Sequence, residues 1–387
     1  MSSKKLMDRY PAICDLEQKA KKRIPKIAWS YLQSGTGRGV AGYRNRDRLD
    51  QYTLKPSFVK GKLDVDLTTK LFGDRYNVPF GVAPVGLTGL IWPKAELFLA
   101  ETANKFGFPF CLSTVATQTP EATASRIGNM GWFQLYPPKD LSIRADILRR
   151  AKESGYHTLV ITADVPAPAR REESRKAGMS LPVKFTPKMI WDGITHPIWT
   201  IKTLQEGLPN LRTVASYSDS KDMKSSAEFA RFKFRGDLDW DYIKEVQELW
   251  DGPVILKGLL HPDDAQKAIE IGVDGICVSN HGGRQFDGAP AAIDALAEIV
   301  KVVDGKCKVL FDSGITSGLD IIKAMAMGAD FVLIGKAFMY GCAALGKHGP
   351  AHVADILIED LINNMKQLGV TTIEELKSLE IIKVQNS

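Results

Sequence analysis

The chain has 387 residues, 44% of them hydrophobic and 25% charged, with a net charge of +6 at pH 7. Those proportions describe a soluble globular protein with chain enough for one large α/β barrel or two ordinary domains, and they give no sign of a nucleic-acid partner. Basic residues are dispersed except near Lys19–Arg23 and Arg170–Lys176, each a solvated face or, for the first, a contact with an anionic membrane surface. Cys14, Cys111, Cys277, Cys307 and Cys342 are odd in number and never spaced as C-x-x-C, which argues against a disulfide framework or a zinc site and for a reducing compartment. Lys4, Lys5, Asp8 and Arg9 leave no room for a signal-peptide core. The longest uncharged stretch, Tyr76 to Pro93, is broken by Gly and Pro and falls short of the ~20 apolar residues a spanning helix needs.

Up to about Leu54 the chain reads as an amphipathic helical segment. Ile24-Pro25-Lys26 leads into Ile27, Ala28, Trp29, Tyr31 and Leu32, and Gly35 is expected to stop the helix as a glycine cap. After Lys55-Pro56 a regular alternation begins. Strands are expected at Pro79–Ala83, Phe108–Ser113, Trp132–Tyr136, Thr158–Ala163, Pro253–Lys257, Gly275–Ser279, Lys308–Asp312 and Phe331–Gly335. Helix-period segments fall between them at Ala95–Phe106, Glu121–Ile127, Ile143–Ser154, Asp239–Trp250, Asp263–Ile271, Ala291–Val303 and Leu319–Met327. Eight strand-helix units predict a parallel (β/α)8 TIM barrel, with the chemistry at the carboxyl ends of the strands. No G-x-G-x-x-G turn follows a strand, so a nicotinamide-binding Rossmann domain is disfavoured. The connection over 172–236 far exceeds the ~12–15 residues usual for a structureless loop, and reads either as a mobile lid or as a surface insertion centred on Gln205–Ser226. A helix over Val353–Leu368 and a capping-box start at Thr372-Ile373-Glu374-Glu375 close the chain.

The stretch that leaves the sixth strand carries the most chemistry: Ser279-Asn280-His281-Gly282-Gly283-Arg284-Gln285. His281 is a base for neutral pH, Arg284 a planar fork for a carboxylate, and Gly282 and Gly283 let the backbone turn sharply. The other strand ends supply Pro84, Val85 and Gly86, a small apolar shelf for a flat ring; then Ser113, Gln134, Tyr136, Thr162 and Asp164, with Arg171 beyond. Lys257 needs a partner if buried, either Asp164 or Asp312. Asp312, Ser313 and Gly314 after the seventh strand, and Gly335 and Lys336 after the eighth, lie where barrels commonly bind phosphate.

SNHGGRQ closely resembles the active-site signature of the FMN-dependent α-hydroxy-acid oxidase and dehydrogenase family, and the resemblance runs from about Tyr10 to Leu379. It implies FMN as cofactor and oxidation of a small L-2-hydroxy acid to the 2-oxo acid. His281 would be the base, Asp164 the carboxylate that steadies it, and Tyr136 their neighbour. Tyr31 and Arg284 would hold the substrate carboxylate, with Tyr136 and Arg171 completing the pocket. Ser113, Gln134, Thr162, Lys257 and Ser279 match flavin-binding positions, Lys257 supplying a cation at the pyrimidine end of the ring. Ala83–Gly89, Gly178-Met179-Ser180 and Thr195-His196-Pro197 look most like the bacterial respiratory L-lactate dehydrogenases. That implies L-lactate as substrate, a quinone acceptor, a cytoplasmic location or a peripheral one on the inner face of the cell membrane, and a tetramer; no flavocytochrome arrangement is expected. Gly86, where many oxidases carry alanine, favours an acceptor other than oxygen.

Two positions depart from the family pattern, with Thr316 and Lys336 standing where arginines usually contact the FMN phosphate. Weaker FMN retention is expected, with Ser313, Thr316, Ser317 and the amides around Gly314 as the remaining cradle. The alternatives to the dehydrogenase are an oxygen-using oxidase and a barrel that serves as a non-catalytic scaffold.

Overall fold

Apolar runs with no polar alternation need both faces covered, and the eight expected ones achieve this by pairing on both edges inside a layer of helices. The computed structural model describes residues 3–179, 186–218 and 234–384. Its strands are β1 (Tyr52–Leu54), β2 (Thr69–Leu71), β3 (Asp74–Tyr76), β4 (Phe80–Val82), β5 (Phe110–Ser113), β6 (Gly131–Leu135), β7 (Tyr156–Thr162), β8 (Val254–Leu259), β9 (Gly275–Val278), β10 (Lys308–Phe311), β11 (Phe331–Ile334) and β12 (Ile381–Lys383). Strands β4 to β11 form a closed barrel in sequence order, all parallel, with β11 returning to pair with β4. This is the (β/α)8 TIM barrel that the alternation predicts.

One side chain from most strands fills the interior: Cys111, Trp132, Val160, Ile255, Cys277, Leu310 and Phe331 are all buried there. The amino-terminal mouth is stoppered by the β2–β3 hairpin, which the sequence reading missed. Its Tyr76 ring lies 5.7 Å from Phe331, and its hydroxyl accepts a hydrogen bond from Trp132 Nε1 at 3.1 Å. With that end closed by aromatics, only the carboxyl ends of the strands are left to open onto a site.

The expected outer helices are present, several started by side-chain caps from Thr119, Asp140, Asp239 and Ser317. An eighth helix, Lys336–Leu345, was not expected; its sequence is apolar on nearly every side, so it shows no 3.6-residue contrast. In the tail, Thr372 caps Ile373–Leu376 as expected, but Glu375 accepts from Thr371 rather than closing the reciprocal box.

Residues before β1 form four helices, Ser3–Arg9, Ile13–Arg23, Lys26–Gln33 and Val40–Asp50. Gly35 is not the glycine cap expected of it. The third helix ends on Ser34 in an extended conformation, and Gly35 is required because a Cβ there would stand 2.9 Å from the Gly283 carbonyl oxygen. This segment therefore packs directly on the turn Ser279–Gln285. The long connection after β7 is helical where it is described, with Glu172–Lys176, Pro187–Thr195, Pro197–Glu206 and Arg212–Ala215. Ser180 of the GMS motif and 219–226 of the connection's centre lie outside the described residues.

Candidate active site

The carboxyl ends of β7, β8, β9 and β10 converge on a buried network of charge. Lys257, the inward residue of β8, places Nζ 2.7 Å from Asp312 Oδ2 and donates to Ser279 Oγ at 2.9 Å. Burial opposes its charge, but Asp312 more than compensates and holds its pKa above the ordinary value. Of the two partners the sequence left open, the structure selects Asp312. One residue further, β8 bulges at Gly258, whose φ is +107° and whose Cβ position would lie 2.5 Å from Asp164. Only glycine lets that carboxylate come in.

Asp164 faces His281, with Oδ1 3.0 Å from Nδ1. Burial works to raise the Asp164 pKa, but His281 and then Lys257 hold it below the ordinary carboxylate range. An ionised Asp164 makes Nδ1 the protonated nitrogen and leaves Nε2 as the acceptor. His281 sits in the left-handed region at φ +58°, a strained conformation held by neighbours. Ser279 Oγ accepts from its amide at 2.9 Å, and Ser313 Oγ accepts from Gly282 and Asn280 amides at 3.0 and 3.3 Å. Burial lowers the His281 pKa below its usual value of about 6.5, against the pull of Asp164. Its imidazole is therefore neutral and basic at pH 7. Accordingly, kcat/KM is expected to rise with pH along a limb whose midpoint lies below about 6.5, and to be level by pH 7; a midpoint above 7 in a steady-state pH profile contradicts this.

Arg284 is buried against the end of the third helix. Its Nη1 donates to the carbonyls of Tyr31, Leu32 and Ser34 at 2.8, 3.1 and 3.1 Å, and its guanidinium lies 5.2 Å from the Tyr31 ring centre. Burial, and then repulsion from Arg171, bring its pKa to about 10, so it remains a cation at neutral pH. Tyr31 donates its hydroxyl to the Gly86 carbonyl at 2.8 Å. A Cβ at Gly86 would lie 2.7 Å from Val115 and 3.5 Å from that hydroxyl, so glycine here keeps the wall thin. Tyr136 lies opposite, its pKa pushed by burial to about 12. Arg171 heads the helix Glu172–Lys176 with φ +44°. Two residues that the sequence reading gave no role line the same space, Gln285 and Arg235. Gln285 Oε1 is buried without a partner, while Arg235 reaches the Val165 carbonyl and lies 5.9 Å from the Tyr136 ring. Nothing in the local pattern around Arg235 distinguishes it from a surface arginine.

Toward β5 and β6 the polar groups are Ser113 and Gln134. Ser113 donates to Gln134 Oε1 at 2.7 Å, which turns Gln134 Nε2 into the site as a buried donor with no partner. Thr162 is buried beside Lys257 in register, and Pro84, Val85 and Gly86 form the shelf at the end of β4.

The groups expected to cradle a phosphate make contacts of their own. The hydroxyls of Ser313, Thr316 and Ser317 are already engaged: Ser313 donates to Asp312 at 2.8 Å, Thr316 binds Asp320 Oδ2 at 3.1 Å, and Ser317 caps the Asp320 amide at 3.1 Å. Arg46, from the fourth helix, pairs with Asp320 at 2.6 Å and donates to Thr316 Oγ1 at 3.1 Å, so a cation does stand behind this loop. The backbone at Gly314 and the amino terminus of Lys336–Leu345 lie in the same region, and a Cβ at Gly335 would stand 3.5 Å from Val85. Lys336 Nζ is 3.4 Å from the Gln33 carbonyl, and burial together with Arg284 brings its pKa to about 8.

A histidine fixed by a carboxylate, an arginine, and a buried lysine paired with a second carboxylate thus stand together at the carboxyl ends of the barrel strands. The chain belongs to the FMN-dependent dehydrogenase family, whose sequence model matches residues 20–383. It is 35% identical over 371 residues to an L-lactate dehydrogenase of Xanthobacter autotrophicus, covering 95% of each chain, and 36% identical over 364 residues to one of Bartonella quintana, covering 94% and 95%. Among solved structures it is similar to the monotopic membrane protein (S)-mandelate dehydrogenase, with a TM-score of 0.91, 33% identity and coverage of 95% and 98%. It is also similar to a mandelate oxidase, with a TM-score of 0.82, 31% identity and coverage of 97% and 99%. The protein is thus an FMN-dependent hydroxy-acid oxidoreductase.

Proposed function

We propose that the enzyme oxidises L-2-hydroxy acids, L-lactate among them, to 2-oxo acids and passes the electrons to a quinone at the inner face of the cell membrane. The observation that carries this reading is the His281–Asp164 pair, 3.0 Å apart, beside the Arg284 guanidinium and facing the Lys257–Asp312 pair. The substrate carboxylate would lie between Arg284, Arg171 and the Tyr31 and Tyr136 hydroxyls, which brings its 2-hydroxyl to His281 Nε2. His281 takes up a proton there, and Asp164 stabilises the imidazolium. Gln134 Nε2, Ser113, Thr162, Ser279 and Lys257 would hold the flavin ring over Pro84–Gly86, and Gly314, Gly335 and Lys336 its phosphate. FMN bound there supplies the two-electron acceptor. Lys257 would offer the bound cofactor a buried cation that favours negative charge on the ring.

Support for the membrane side comes from the connection after β7. Ile190, Trp191, Ile194, Ile198, Ile201 and Leu204 are all more than half exposed on the helices Pro187–Thr195 and Pro197–Glu206, an apolar face of the kind that lies on a bilayer. The Lys26 amide donates to Asp192, which brings the basic end of the second helix alongside that face. Among the described residues no helix is long and apolar enough to cross a membrane. In this reading the helices Pro187–Thr195 and Pro197–Glu206 form a lid whose outer side meets lipid, and the enzyme works as a homo-oligomer.

The test is anaerobic addition of L-lactate to the FMN-loaded protein. Bleaching of the yellow colour, restored by a soluble quinone faster than by air, is the expected result. Faster recovery in air would make the enzyme an oxidase. A flavin that stays yellow with L-lactate would remove L-lactate from the substrates.

A further inference from the structure

Lactate offers the site only a methyl group, yet the space beyond the catalytic groups is far larger. A chamber of about 890 Å³ begins at Tyr31, Tyr136, Leu87 and Val115 and runs outward beneath the helices of the long connection. That is the upper end of what drug-sized ligands occupy, roughly 300–1,000 Å³. Arg171, Gln285 and Arg235 line the chamber together with the two tyrosines, and the wall beneath the helices is mostly apolar, with Met189, Ile194, Trp199, Leu204, Leu208 and Leu211 interrupted by Thr200 and Thr203; the exposed Arg170 and Arg175 also line it. Three of these wall residues are also open to the exterior, Ile194 at 62%, Leu204 at 69% and Leu208 at 54% exposure. The chamber therefore has an apolar exit.

We propose that the preferred substrates are 2-hydroxy acids carrying a long apolar chain, with the acid held at Arg284 and the chain laid along this wall. The inference rests on the hydroxy-acid reading above and adds the substrate class. A wall this apolar gains nothing from a small polar substrate, because it stays wet or empty behind lactate's methyl. A longer alkyl chain removes apolar surface from water on both partners. The inner end reads the head group and the wall reads the tail. Thr203 lies inside this wall, 3% exposed, and its hydroxyl, which has no partner, is a lone polar atom among apolar side chains.

The experiment is anaerobic flavin reduction by the FMN-loaded wild-type protein with (S)-2-hydroxy acids of three to twelve carbons, with no quinone present. The apparent second-order rate constant is expected to rise roughly three- to fourfold per methylene through the middle of the series and then level as the chain leaves the exit. Thr203→Phe, which fills the wall, should shrink the ratio of the octanoic to the lactic acid rate by tenfold or more. Should that variant fail to fold, Leu208→Trp at the exit should shrink the ratio for the decanoic acid instead. A series that is flat or falls from lactate onward overturns the chain-length proposal and leaves hydroxy-acid oxidation standing. Absence of reduction by every acid, lactate included, overturns both.

Discussion

Replacing His281 by glutamine should slow anaerobic flavin reduction by about 10²- to 10⁴-fold, the range associated with a positioned general base, while FMN content stays at the wild-type level. Glutamine's amide can still donate to Asp164, so the shape of the turn and the ionised carboxylate are retained, but no nitrogen remains to accept the substrate's proton. The strain at φ +58° is backbone strain, and glutamine inherits it unchanged. The acid limb of the pH profile should vanish together with the rate. A stopped-flow trace showing less than a tenfold loss would remove His281 from proton transfer and direct attention to Tyr136, the other proton-bearing group at the inner end.

Lys257→Met should be the most destabilising single change at the site. Asp312 keeps only 10% of its side chain exposed and loses the ammonium 2.7 Å away, and stranding a buried charge in this way costs about 3–5 kcal/mol. Urea denaturation followed by tryptophan fluorescence reads the loss as a fall in midpoint. The double variant Lys257→Met, Asp312→Asn should regain most of it, because the uncompensated charge is gone. A single variant as stable as wild type, or a double variant no better than the single, would mean that Ser279 and ordered water already compensate the carboxylate.

These outcomes depend on residues that the sequence exposed very unevenly. The eight barrel strands were legible because a strand covered on both faces must be apolar throughout, and Val254–Leu256 or Phe331–Ile334 admit few other readings. The turn Ser279–Gln285 was legible because its chemistry is contiguous in the chain. The helix Lys336–Leu345 was hidden by uniform apolarity, and the β2–β3 hairpin by its brevity. Arg46 could not be tied to Thr316 from sequence, since their meeting depends on how the fourth helix lies across the strand ends. The same holds for Gly35, which carries a local signal for a helix stop yet is fixed by a backbone 248 positions away in the chain, at Gly283. A motif names the groups that meet the substrate; it is silent about the distant segments that keep them in place.

One such segment bears on how the molecule comes into being. Asn45 and Asn280 exchange side-chain hydrogen bonds in both directions at 2.7 Å, across a separation of 235 residues. Asn280 in turn accepts from the Gly283 amide at 3.1 Å. The support for the turn Ser279–Gln285 thus comes from a helix that precedes the barrel strands and must wait for most of the barrel before it has anything to hold. Contacts of such range form late, since the entropy of closing the loop between them must be offset first by everything nearer. During refolding, helical signal should recover well before turnover, and the interval between the two is the time the chain spends as a closed barrel whose catalytic turn has not yet been locked.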